Sequence, residues 1–121
     1  MDNKEFSRQL EVRTKKFAIS IIKMSGKLPE TVEGRVVRNQ ATKSGTSIGA
    51  NYREANRSRS KADFINKILI CESEASETLY WLEIITDLEW STADNMQKIV
   101  SEATEILAIF TSIDKNFKRN T

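Results

Sequence analysis

Apolar residues recur three or four positions apart along almost the whole chain, and Pro29 is the only proline among them. That pattern selects long amphipathic helices and leaves too little Pro and Gly punctuation for the many turns of an all-β fold. A first helix is expected over about 4–27, with Phe6, Leu10, Phe17, Ile21, Met24 and Leu28 on one stripe and Gly26 and Pro29 closing it. A second is expected over about 31–56, with Val37, Ala41, Ser44, Ile48, Tyr52 and Ala55 facing inward. The run "SKAD" from Ser60 is an N-terminal capping signal for a third helix reaching about Glu89. A second such run, "STAD" from Ser91, opens a fourth whose stripe holds Met96, Ile99, Val100, Ala103, Leu107, Phe110 and Phe117. Short connections between long helices favour antiparallel neighbours, so the expected fold is all-α, an up-down-up-down four-helix bundle.

At 121 residues the chain makes one domain, 1–121, large enough to need no disulfide or metal staple. Cys71 is the only cysteine, which excludes an internal disulfide and fits a reducing, cytoplasmic setting. No apolar run approaches the ~20 residues of a membrane span, and the charged N-terminus lacks a signal-peptide apolar region. A net charge of +2 hides a marked asymmetry. Eight basic residues fall between Arg35 and Lys67, against Glu54 and Asp63 alone, whereas Ile68 to Gln97 holds seven acids and no base.

The third helix is apolar on two sides. Ile65, Ile68, Ala75, Leu79 and Leu82 share one face, while Ile70, Trp81, Ile84 and Leu88 lie nearly opposite. A four-helix bundle covers one face of a helix, so the second is expected to meet another protomer, unless Trp81 lies at the bundle edge and the helix twists to hide the rest. Gly45 and Gly49 stand one turn apart in the second helix, each disfavouring it by about 1 kcal/mol relative to alanine. Close approach of a neighbouring helix explains them, and they are grouped here with the oligomer interface; a local kink is the alternative.

Arg53 and Arg57 share a helical face, and Arg59, Lys61 and Lys67 follow at once. Such density makes a positive field that attracts phosphate backbones without reading sequence; the alternative is pairing with the acidic third helix of a neighbour. Glu72 sits between Ile68 and Ala75 and calls for a partner, for which Arg13 is the candidate; Asn51 and Glu54 complete a structural polar network. There is no histidine, and Cys71 lies in apolar "ILICES", so the reading is a non-enzymatic protein without metal or cofactor.

The stretch "SIGANYREANRSRSKADFINKILICESEASETLYWLE" resembles the four-helix-bundle family encoded by intervening sequences within bacterial 23S ribosomal RNA genes. The family is similar in turn to the accessory variability proteins of diversity-generating retroelements. The resemblance covers nearly the whole chain and is most specific from Ser47 to Glu83: "AN-x-x-E" with Asn51 and Glu54, then "S-R-S-K-x-D-F" and "E-A-S-E-T-x-Y-W-L-E". Many relatives have a Gly-Ser pair where this chain has Ser73-Glu74. The resemblance implies a ring-shaped homopentamer and, from the retroelement relatives, a basic surface that binds nucleic acid and a reverse transcriptase. Two functions follow: an RNA-associated homo-oligomeric accessory protein, or a protein-interaction scaffold whose arginines tie subunits together.

Overall fold

The computed structural model describes residues 2–119. Four helices account for nearly all of them: α1 (Asn3–Ser25), α2 (Val32–Ala55), α3 (Lys61–Asp87) and α4 (Ala93–Arg119). Each begins on a side-chain oxygen that accepts an otherwise unpaired amide of the first turn. Asp2 accepts from Glu5 N at 2.7 Å, Thr31 from Gly34 N at 3.0 Å and Ser60 from Asp63 N at 3.1 Å. In α4 the cap is Thr92, which accepts from Asn95 N at 3.3 Å, one residue beyond the Ser91 that opens the sequence signal. Helix ends are satisfied as carefully. Arg38 reaches back from α2 and donates to the carbonyls of Ser25 (3.1 Å) and Leu28 (2.8 Å), closing α1. At the end of α3, Glu89 adopts φ 57° while its N–H bonds Thr86 O and that of Trp90 bonds Ile85 O. This is a Schellman turn with glutamate in the left-handed position that usually falls to glycine.

Helices adjacent in sequence pack against each other, α1 meets α4 more lightly, and the backbones of the diagonal pairs α1–α3 and α2–α4 do not approach closely, although Tyr52 of α2 meets Phe110 of α4 across the core. The result is the expected antiparallel four-helix bundle. The inward stripe of α2 is buried as the spacing predicts. In α4 the buried line is rotated slightly, so that Ile106 is fully buried while Val100, Leu107 and Phe117 are only partly covered. In α3 the buried line runs through Ile68, Cys71, Ala75, Thr78, Leu82 and Ile85, with Leu79 at its margin. Thr78 is absent from a purely apolar stripe but suits the core, because its hydroxyl donates to Glu74 O at 2.7 Å and lies 3.0 Å from Ser44 Oγ.

The two helical glycines have a role inside the protomer. A Cβ at Gly45 would lie 2.9 Å from both Cγ atoms of Ile21, and one at Gly49 would lie 3.0 Å from Thr14 Oγ1. The close helix approach is therefore α1 on α2, which removes Gly45 and Gly49 from the oligomer-interface set. Gly45→Ala is expected to lower stability although alanine is the better helix former. Overpacking typically destabilises by about 1–3 kcal/mol, against a propensity gain of about 1 kcal/mol, and Ile21 has no room to move at 0% exposure. Gly26→Ala, whose Cβ meets nothing nearer than 3.5 Å, provides the contrast and should raise the melting temperature. Thermal melts of the two variants check the opposite signs.

Candidate nucleic-acid interface

The second helix ends in a tight turn that fixes the basic residues in space. Asn56 N bonds Tyr52 O at 3.1 Å, Arg57 N bonds Glu54 O at 3.0 Å and Ser58 N bonds Ala55 O at 3.1 Å, so the last carbonyls of α2 are taken. Ser58 Oγ adds a 2.6 Å bond to Ala55 O. Two residues later Ser60 caps α3. Arg53, Arg57, Arg59, Lys61 and Lys67 are thereby gathered at one end of the bundle, beside the N-terminus of α1 and the C-terminal turns of α4.

These five cations differ in how far their own chain neutralises them. Arg53 Nε is 3.6 Å from Glu11, and Lys67 Nζ is 3.2 Å from Glu54. Exposed pairs of this kind contribute about 0–1 kcal/mol, so both cations can exchange their carboxylate for a phosphate at little loss. Lys61 Nζ lies over the Phe117 ring, 5.8 Å from its centroid. Arg57 and Arg59 are exposed and have no side-chain partner among the described residues. The dipole of α2 favours Arg57 at its C-terminus, whereas Lys61 occupies the first turn of α3, where the dipole disfavours a cation.

The polar network differs from the sequence expectation. Arg13 does not reach Glu72, because α1 and α3 are diagonal in the bundle. It grips Glu102 of α4 instead, with bonds of 2.8 and 2.6 Å, and comes within 3.4 Å of Glu105. The hydrogen bond to Glu102 holds the Arg13 guanidinium further above its ordinary value. Glu72 is half-buried and accepts from Thr111 Oγ1 at 2.8 Å. Asn51 donates to Ser47 O at 2.9 Å and Glu54 turns outward to Lys67, so these two residues do not form one network.

The outer face of α3 is partly open. Ile70 and Leu88 are 40% and 51% exposed, while Trp81 and Ile84 are partly packed against the core. Tyr80 adds to this face, 56% exposed and edge-on to Trp81 at 5.2 Å. Sequence reading missed a counterpart on α1, where Val12, Ile19 and Ile22 are exposed on the side opposite the core. Their spacing of seven and three was a usable signal, masked by the interleaved Lys15, Lys16 and Lys23. Because α1 and α3 are diagonal, the bundle carries apolar surface on opposite flanks.

Cys71 is fully buried with Sγ 3.4 Å from Ile48 O, and burial pushes the thiol up to about 12, far from a reactive thiolate. Among the described residues no group of three His, Cys, Asp or Glu is placed to hold a metal ion. No helix among them is long and apolar enough to cross a membrane.

No curated protein matches the sequence. Among solved structures, the chain is similar to a protein of unknown function from the S23 ribosomal protein family of Bacteroides thetaiotaomicron. The two are 40% identical, with a TM-score of 0.80, over 87% of this chain and 97% of that one. Residues 8–112 match the family model described as 23S rRNA-intervening sequence protein. With that match spanning most of the bundle, from α1 into the last turns of α4, the chain belongs to the 23S rRNA-intervening sequence protein family.

Proposed function

We propose that this protein is a non-enzymatic, homo-oligomeric RNA-associated accessory protein, acting in the cytoplasm and assembled as the pentameric ring its resemblance implies. The observation that carries the reading is the set of exposed cations at the α2–α3 end, Arg57, Arg59 and Lys61, which no carboxylate among the described residues neutralises. A ring repeats that end around its axis and multiplies the phosphate contacts available to one RNA. The two apolar flanks support the oligomer, since a ring is built by one surface meeting a different one.

The test is anisotropy of a structured RNA titrated with the protein at about 50 and 200 mM salt. Three phosphate contacts from a single protomer should weaken binding about 20- to 40-fold across that range, and six contacts from two protomers about 10³-fold. Salt-independent binding, or none at the lower salt, would remove the phosphate grip. The protein would then be read as a scaffold for a protein partner, with its arginines in subunit contacts; the acids of α3, including Glu74 and Glu77, favour that second reading as available counter-charges.

A further inference from the structure

Between the first turns of α1 and the last turns of α4, where the two helices meet lightly, the surface opens into a cavity of about 690 Å³. Its apolar lining is unusually aromatic: Phe6, Tyr52, Phe64 and Phe117 converge with Ile109 and Ile113. Phe64 and Phe117 are in ring contact at 5.0 Å, and Tyr52 is held edge-on to Phe110 at 5.4 Å. The rim is polar, with Asn3 and Ser7 on α1 and Ser112 and Asn116 on α4. Lys61, whose Nζ lies over the Phe117 ring, brings the charge of the α2–α3 turn to this wall.

Tyr52 is the telling residue. It is 2% exposed, yet its hydroxyl has no hydrogen-bond partner among the described residues. Nor is that oxygen among the polar atoms sealed from solvent, and the residue lines the groove. Phenylalanine would fill the same core position without a hydroxyl that needs an acceptor. The groove thus offers an aromatic wall, a single inward donor, amide and hydroxyl groups at the rim and a cation beside it. An apolar partner helix would leave the Tyr52 hydroxyl unsatisfied and bring nothing for Lys61. A nucleobase satisfies each group: a flat π-face for the phenylalanines, a ring acceptor for Tyr52, polar edges for the asparagines, and an attached phosphate for Lys61.

We propose that the α1–α4 groove is a binding site for one unstacked nucleobase whose phosphate is held at the α2–α3 turn. This rests on the RNA reading for the source of the base, but a free nucleotide has the same chemistry, so both sources are tested. The full-length protein is titrated with a single-stranded RNA carrying one 2-aminopurine, and separately with 2-aminopurine riboside 5′-monophosphate. Anisotropy of the labelled strand reports binding, and 2-aminopurine quenching reports stacking. Phe6 is 40% exposed, so Phe6→Ala should leave the fold intact; it is expected to abolish quenching and weaken binding about tenfold. Tyr52→Phe preserves the core packing and should weaken binding about threefold or more.

Strand binding without quenching, unaffected by both variants, overturns the groove while leaving the phosphate grip standing. Quenching of the free nucleotide with no strand binding keeps the groove and removes the RNA reading. Quenching by neither, with no strand bound, overturns both.

Discussion

Reversing charge at Arg57 and Arg59 together is expected to weaken RNA binding by roughly 10²-fold or more at about 50 mM salt. Each lost phosphate contact should also lower the salt slope by about one. The size of the effect follows from how these two side chains stand: exposed, without a partner among the described residues, and positioned by a turn held by backbone hydrogen bonds, Ser58 and the Asn56 amide, which donates to Glu11. Neither guanidinium supports the fold, so the Arg57→Glu/Arg59→Glu variant should keep its helical circular dichroism and its oligomeric size. Arg53 and Lys67, already paired with Glu11 and Glu54, should give smaller losses when changed singly. If the double variant instead falls apart into monomers, the arginines are subunit ties and the scaffold reading replaces the RNA one.

The second large effect concerns assembly. Ile70→Asp/Leu88→Asp on α3 should convert the proposed oligomer into folded monomers, because a carboxylate on that face has no partner once an apolar surface covers it. Both positions are exposed in the single chain, so the protomer's own stability should change little. The same result is expected from Ile19→Asp/Ile22→Asp on the opposite flank. A mixture of the two variants discriminates further. If the α3 face of one protomer docks on the α1 face of the next, each variant retains the surface the other lacks, and the mixture should yield dimers by light scattering. If each variant dimerises on its own, each face meets its own kind, which cannot build a cyclic pentamer; a mixture that stays monomeric means that the two faces do not meet each other.

The bundle was legible in the sequence because its signals are local. The spacing of Leu10, Phe17, Ile21 and Met24, the stop at Pro29 and the cap at Ser60 all act within a few residues. Pairings across the bundle were less accessible. Arg13 stands on the right face of α1, but which acid it meets depends on helix order around the core, and the diagonal placement of α3 gave it to Glu102. Gly45 and Gly49 signal a close approach without naming the helix that makes it. The basic cluster was readable as a cluster; that, among the described residues, Arg53 and Lys67 have carboxylates within reach and Arg57 and Arg59 do not is a matter of tertiary geometry. The groove was not readable, since Phe6 and Phe117 register as ordinary core positions until α1 and α4 are seen to stand slightly apart.

That light meeting of α1 and α4 bears on how the chain acquires its shape. The three extensive helix pairs join segments adjacent in sequence, and only the α1–α4 seam brings the two ends of the chain together. Contacts that close short loops require little chain entropy before they are rewarded, so successive helical hairpins can form quickly and the seam can close last. The same order run backwards makes this seam the first to open in the native state, on a timescale shorter than global unfolding. Breathing there would admit and release whatever occupies the groove while the other three helix contacts stay closed.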